Sequence, residues 1–259
     1  LPPTFYLQTS PELAMKRLLA AGAPSIYSLG PVFRSGEVGP LHNVEFCMLE
    51  WYQVGGDYQS AMQLTGELAS DLLSLPRHAA MSYREAFRRF ADCDPFEETD
   101  EGLRNQVAKV SSALADGIGA DRDALLDVLL SERVAPRLGE REPTLLFDYP
   151  LSQAALSKRS PNDPKCSARF ELFVSGIELA NGYEELLDAD ELSRRTAAHA
   201  RTRQQLGSRE LPGSTSLIEA MRMGLPACSG VALGVDRLLM LAVDETSVHS
   251  VLPFSISTA

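Results

Sequence analysis

The chain has 259 residues, 44% of them hydrophobic and 23% charged, and its 24 basic and 35 acidic side chains leave a formal charge of −11. This is a globular composition, which excludes collagen-like, disordered and disulfide-dense chains; the acidic balance argues against broad binding to a phosphate backbone. No apolar run approaches the ~20 residues of a membrane span, so no membrane partner is expected. Cys47, Cys93, Cys166 and Cys228 stand far apart with no C-x-x-C pair, which points to a reducing cytoplasm. The chain opens on Leu1, with neither Met nor a signal segment, and is expected to lack something N-terminal.

In chain order, residues 4–9 are aromatic and β-prone, and Ser10-Pro11-Glu12 then signals a helix to about Ala21. Residues 26–34 and 45–54 read as a hairpin around a long polar loop, 35–43. From Asp57 the periodicity turns helical, through Leu75, then over 83–91, 101–116 and 121–138, giving a mostly helical insertion at about 57–142. Residues 143–149 return to strand, and 169–174 and 177–181 flank a Ser175-Gly176 turn. Helices follow over 189–206 and 217–223, then a small-residue strand over 230–234 and a helix from about Val235. Hairpins beside helices, without regular βαβ alternation, predict an α+β fold with an antiparallel sheet.

Three places carry unusual chemistry. The first loop holds Arg34, Glu37, His42 and Asn43, which taken alone reads equally as a solvated hairpin tip. Beyond it, alternation puts Phe46, Met48, Glu50 and Tyr52 on one sheet face. An acid among apolar neighbours needs a cation or donor, so Glu50 marks either an amine pocket or an internal Arg pair. Glu178, Asn181 and Glu185 interrupt an apolar stretch with hard oxygen ligands suited to Mg²⁺, or else are solvated surface groups. Finally, Ser229 to Arg237 combines glycines that permit close backbone approach with an always-charged guanidinium, and it is not a P-loop.

Together these segments resemble the catalytic domain of class II aminoacyl-tRNA synthetases, lysyl-tRNA synthetase above all, over nearly the whole chain, 1–259. Phe33-Arg34, His42-Asn43-Val44-Glu45-Phe46 and Met48-Leu49-Glu50-Trp51-Tyr52 look like motif 2, and residues 230–237 like motif 3. Residues 177–186 are similar to the lysyl-specific segment. The Thr9-Ser10-Pro11-Glu12, Met15-Lys16-Arg17-Leu18, Ser152-Gln153-Ala154 and 228–234 stretches bring the chain nearest to the lysyl-tRNA synthetase paralogues that modify elongation factor P. Ala232 stands where lysyl-tRNA synthetases carry glycine, a difference associated with a β-lysine pocket.

The resemblance implies ATP-dependent activation of lysine or (R)-β-lysine as an aminoacyl-adenylate, then transfer to a lysine side chain of elongation factor P. It implies that Arg34 grips the α-phosphate and that Phe46 and Arg237 sandwich adenine. His42 and Asn43 would complete the ATP site. Glu178 and Glu185 would hold Mg²⁺, and Glu12, Glu50, Tyr52, Asn181 and Ala232 would line the amino-acid pocket. Gly36 departs from the pattern by standing where an adenine-reading acid is usual, with Glu37 one place later, and Val44 replaces a proline. The motif 1 region is expected before residue 1, and dimerisation is implied by the family alone. Two alternatives stay open: a lysyl-tRNA synthetase catalytic fragment, disfavoured by the acidic charge, and a catalytically silent synthetase-like binding or regulatory protein.

Overall fold

The computed structural model describes residues 5–205, 207, 215–256 and 258, which form two compact units: residues 1–57 with 184–259, and residues 58–183. The first unit begins with α1 (Glu12–Ala20), which buries Met15, Lys16 and Leu19 on one side. The Ser10 hydroxyl accepts from the Glu12 amide (3.0 Å), satisfying one of the helix's orphan N–H groups. Strands β1 (Ile26–Phe33) and β2 (Glu45–Val54) pair antiparallel, Ile26 opposite Tyr52 and Phe33 opposite Glu45. Residues 5–9 form no strand, contrary to expectation, and Thr4 lies outside the described residues. Their aromatic character misleads because the segment only touches the sheet end, where the Gln8 carbonyl accepts from the Phe33 amide at 2.9 Å.

The second unit opens with α2 (Tyr58–Leu72), then β3 (Ala79–Ser82) and α3 (Tyr83–Phe90). Ser82 and Glu85 make a reciprocal capping box that starts α3 sharply. Next come α4 (Asp100–Ala108), α5 (Ser112–Ile118) and α6 (Arg122–Leu129), capped by Thr99, Ser111 and Asp121. The single helix expected over 101–116 is therefore two. Ser111 takes an extended backbone and its hydroxyl accepts from the Leu114 amide, ending one helix and starting the next. The helix expected to Leu138 stops at Leu129 and continues as a π turn (Leu130–Val134) and a 3₁₀ turn (Ala135–Arg137).

Strands β4 (Thr144–Pro150), β5 (Cys166–Val174) and β6 (Ile177–Glu184) form an antiparallel run. The β5–β6 turn at Ser175-Gly176 has positive φ at both residues, 50° and 78°, as a twist-matched two-residue hairpin requires. The short β3 escapes a periodicity reading. It pairs parallel to β4, Ala79 opposite Thr144, with the helical residues 83–143 as the crossover. The core of this unit gathers Tyr83, Phe87, Leu103, Leu125, Leu126, Leu129, Leu146 and Tyr149, all buried. Each large apolar side chain there contributes about 1.5–3 kcal/mol.

The chain then returns to the first unit with α7 (Ala189–Gln205), α8 (Thr215–Gly224), β7 (Cys228–Gly234) and α9 (Val235–Ala242). Leu206, the expected end of α7, lies outside the described residues. Strand β7 pairs antiparallel with β2, setting Gly230 opposite Tyr52 and Ala232 opposite Glu50. The fold class is α+β, as expected, with β3–β4 the parallel exception among these pairs. No helix of the described residues is long and apolar enough to cross a membrane.

Candidate active site

The pairing of β2 with β7 builds the floor of the site. Residues directly opposite in an antiparallel pair share a face, so Met48, Glu50 and Tyr52 stand beside Gly234, Ala232 and Gly230. Gly230 has no alternative there, because a Cβ would strike the Glu185 carboxylate and the Tyr52 ring.

Glu50 is 2% exposed and finds hydroxyl donors rather than an internal arginine. Ser10 Oγ donates to its Oε2 (2.6 Å) and Tyr52 Oη to its Oε1 (2.7 Å). Burial pushes the Glu50 carboxyl up, with those two hydrogen bonds opposing the shift. Ser10 thereby joins α1 to β2, since the same oxygen accepts from the Glu12 amide.

Sequence reasoning missed Lys16. Its ammonium lies 2.6 Å from Glu12 Oε1 and 2.5 Å from Glu185 Oε2, and 5.8 Å from the Tyr52 ring centre. Burial disfavours the charge, but Glu12 and Glu185 override it and hold the ammonium protonated. Glu185, 1% exposed, is pushed up to about 7 by burial, with Lys16 pulling the other way. Its Oε1 has no hydrogen-bond donor among the described residues. The ammonium pairs with two carboxylates, Glu12 and Glu185, and Glu50, held by hydroxyls, adds a third acid close enough to be felt by both; the surplus acid suits a second, bound cation. Lys16 stands in the Met15-Lys16-Arg17-Leu18 stretch of the resemblance without a role, and its spacing of four from Glu12 is a common surface pattern.

At the other end of β2, the Arg34 guanidinium lies 5.1 Å from the Phe46 ring centre, with Glu37 3.9 Å from Arg34. Gly36 has φ +83°, a conformation in which the usual acid would be strained. Arg237, at the start of α9, donates from Nε to the Leu41 carbonyl (3.1 Å), and its Nη2 lies 2.7 Å from His42 Nε2. Burial first, then the neighbouring Arg237 charge, pulls the His42 pKa down, so the neutral ring accepts at Nε2. Asn43 is buried with both ends of its amide engaged by the protein: Nδ2 donates to the Glu45 carbonyl (2.7 Å) and Oδ1 accepts from the Ile256 amide (2.9 Å).

Glu178 and Asn181 lie on β6, in the second unit. Asn181 donates to Glu171 Oε1 (3.2 Å), a carboxylate that also takes Arg169 (2.6 Å) and the Tyr149 hydroxyl (2.6 Å). This buried network of Glu171, Arg169 and Tyr149 was not anticipated either; Asn181 Oδ1 within it has no donor among the described residues. No cluster of three or more His, Cys, Asp or Glu side chains able to hold a metal occurs among the described residues.

A family model described as class II tRNA synthetases (D, K and N) matches residues 1–258. A protein of Photorhabdus laumondii named elongation factor P–(R)-β-lysine ligase is 43% identical over 256 residues, covering 99% of this chain and 79% of its own. Proteins of the same name from Yersinia enterocolitica and Yersinia pestis are 42% and 41% identical over the same spans.

Proposed function

We propose that this chain, which belongs to the class II tRNA synthetase family (D, K and N), is an ATP-dependent ligase that activates lysine or (R)-β-lysine and transfers it to a lysine side chain of elongation factor P. The names of its relatives supply the substrates. The observation that carries the reading on this chain is the surplus of buried acid, Glu50 beside the Lys16 ammonium that Glu12 and Glu185 already share, on the sheet face that continues to Phe46.

In the first step a carboxylate oxygen of the amino acid bonds to the α-phosphorus of ATP, and the bond from that phosphorus to the β-bridging oxygen breaks, releasing pyrophosphate. The nucleophile is already ionised, so orientation and charge stabilisation are what the protein adds. Glu12 and Glu50 hold the substrate's ammonium groups, Tyr52 and Ala232 shape the pocket, and Arg34 meets the charge that builds on the α-phosphate. Phe46 and Arg237 enclose the adenine ring, while His42 stands by the phosphates. In the second step the target lysine's amine attacks the acyl carbon, AMP leaves, and the amine gives up a proton.

Mg²⁺ enters this reading with the phosphates of ATP. Glu185 does not fit as its ligand: an ammonium 2.5 Å away already neutralises that carboxylate and would repel the ion. Glu178 enters the proposal as a hard-oxygen donor through the family resemblance alone. A cytoplasmic homodimer is part of the proposal through family resemblance alone.

The test is amino-acid-dependent ATP–pyrophosphate exchange with α-lysine, (R)-β-lysine or no amino acid. Exchange favouring (R)-β-lysine, followed by labelling of elongation factor P, supports the ligase. Preference for α-lysine with charging of tRNA would replace it by a lysyl-tRNA synthetase fragment, and ATP binding without exchange by a silent homologue.

A further inference from the structure

The loop between β1 and β2 is long for a hairpin connection, where two to five residues are usual. Ligand-binding loops of this kind sit at the low end of local stability unless something ties them down. Here five consecutive residues are each tied to the chain beyond β7. Arg237 takes the Leu41 carbonyl and the His42 ring. The rest goes to residues 247–256: His249 Nε2 lies 3.0 Å from the Gly39 carbonyl, the Val248 amide donates to the Pro40 carbonyl (2.8 Å), and the Ile256 amide donates to Asn43 Oδ1 (2.9 Å).

That segment is itself braced. Val248 is 3% exposed, the Ser247 hydroxyl accepts from the His249 amide (3.3 Å), and the Ser255 amide donates to Thr258 Oγ1 (3.0 Å). A carbonyl only accepts, so His249 donates from Nε2, and its buried Nδ1 has no partner among the described residues. The Gly39–His42 turn, closed by two mutual backbone bonds of 3.1 Å, is thus held from outside at every position.

We infer that residues 247–256 are a clasp that fixes the shape of the nucleotide loop, with His249 and the Asn43 amide as its anchoring side chains. Both are positioning residues. Asn43 pins the loop through both ends of its amide, donating to the Glu45 carbonyl and accepting from the Ile256 amide. The inference rests on the reading that this loop binds ATP, but the clasp itself is observable without catalysis.

The experiment compares the full chain with His249→Leu and His249→Gln, whose amide can still donate to Gly39. Hydrogen exchange of the Gly39, Leu41, His42 and Asn43 amides, without nucleotide, should speed up about fivefold in the Leu variant, the loss of one hydrogen bond, and recover with Gln. In pyrophosphate exchange the KM for ATP should rise by about the same factor while the KM for the amino acid stays within twofold. Unchanged amide exchange in the Leu variant, or a rise in both KM values together, overturns the clasp. Wild-type protein that shows no pyrophosphate exchange would sink the ligase reading instead, and the amide-exchange arm would still decide the clasp.

Discussion

Replacing Lys16 by Met removes the one ammonium that neutralises Glu12 and Glu185. Breaking a buried ion pair from one side costs about 3–5 kcal/mol, because the remaining charge is stranded. The cost should depend on pH in a definite way. In the parent the Glu185 carboxyl is pushed up to about 7, so between its unfolded value of 4.5 and about 7 the native state binds more protons than the unfolded state. Stability from this group is therefore highest at low pH and declines as pH rises through that window. Without Lys16 the native carboxyl titrates higher still, and the decline continues above 7 in the variant alone. Parent and variant should run parallel below pH 6, then separate by about 1.4 kcal/mol for each pH unit above 7. Urea unfolding at pH 5, 6, 7, 8 and 9 measures this directly. The Lys16→Met, Glu185→Gln double variant should lose the Glu185 share of the divergence and keep only what Glu12, which also loses its ammonium, contributes. A gap between parent and Lys16→Met that stays constant from pH 5 to 9 would refute the account.

Arg34→Ala should reduce pyrophosphate exchange by two to three orders of magnitude, the usual effect of removing one charge-stabilising donor, with the melting temperature unmoved; retained exchange would take Arg34 out of the chemistry. Ala232→Gly should shift the ratio of kcat/KM from (R)-β-lysine toward α-lysine by about tenfold, the worth of one methyl in a pocket; an unchanged ratio would discount Ala232 as a selector. Gly230→Ala should raise the amino-acid KM and cost about 1–3 kcal/mol of stability, read by kinetics and thermal melting, because its methyl collides with Glu185 and Tyr52. A variant indistinguishable from the parent would mean that the floor is looser than it looks.

What the sequence determined by itself follows from short-range geometry. Strand alternation put Met48, Glu50 and Tyr52 on one face, and β2 has them there. Ser175-Gly176 announced its turn, and Ser10-Pro11-Glu12 announced α1. The motif resemblance reached the family because the spacing of Arg34, Glu50, Glu178 and Arg237 is written along the chain. Tertiary structure decided the rest. Lys16 has the sequence context of a surface lysine, beside Arg17 and four residues from Glu12, and only its approach to Glu185 makes it an internal counter-ion. Glu185 reads in sequence as a hard-oxygen ligand, and only the fold sets an ammonium 2.5 Å from one of its oxygens. Asn43 reads in sequence only as part of the ATP motif, and it is the fold that brings Ile256, from the far end of the chain, to donate to its Oδ1. In each case the side chain's role depends on charges and donors that are distant in sequence. Periodicity and spacing carry no record of those neighbours, because burial and pairing exist only once the strands and helices have packed.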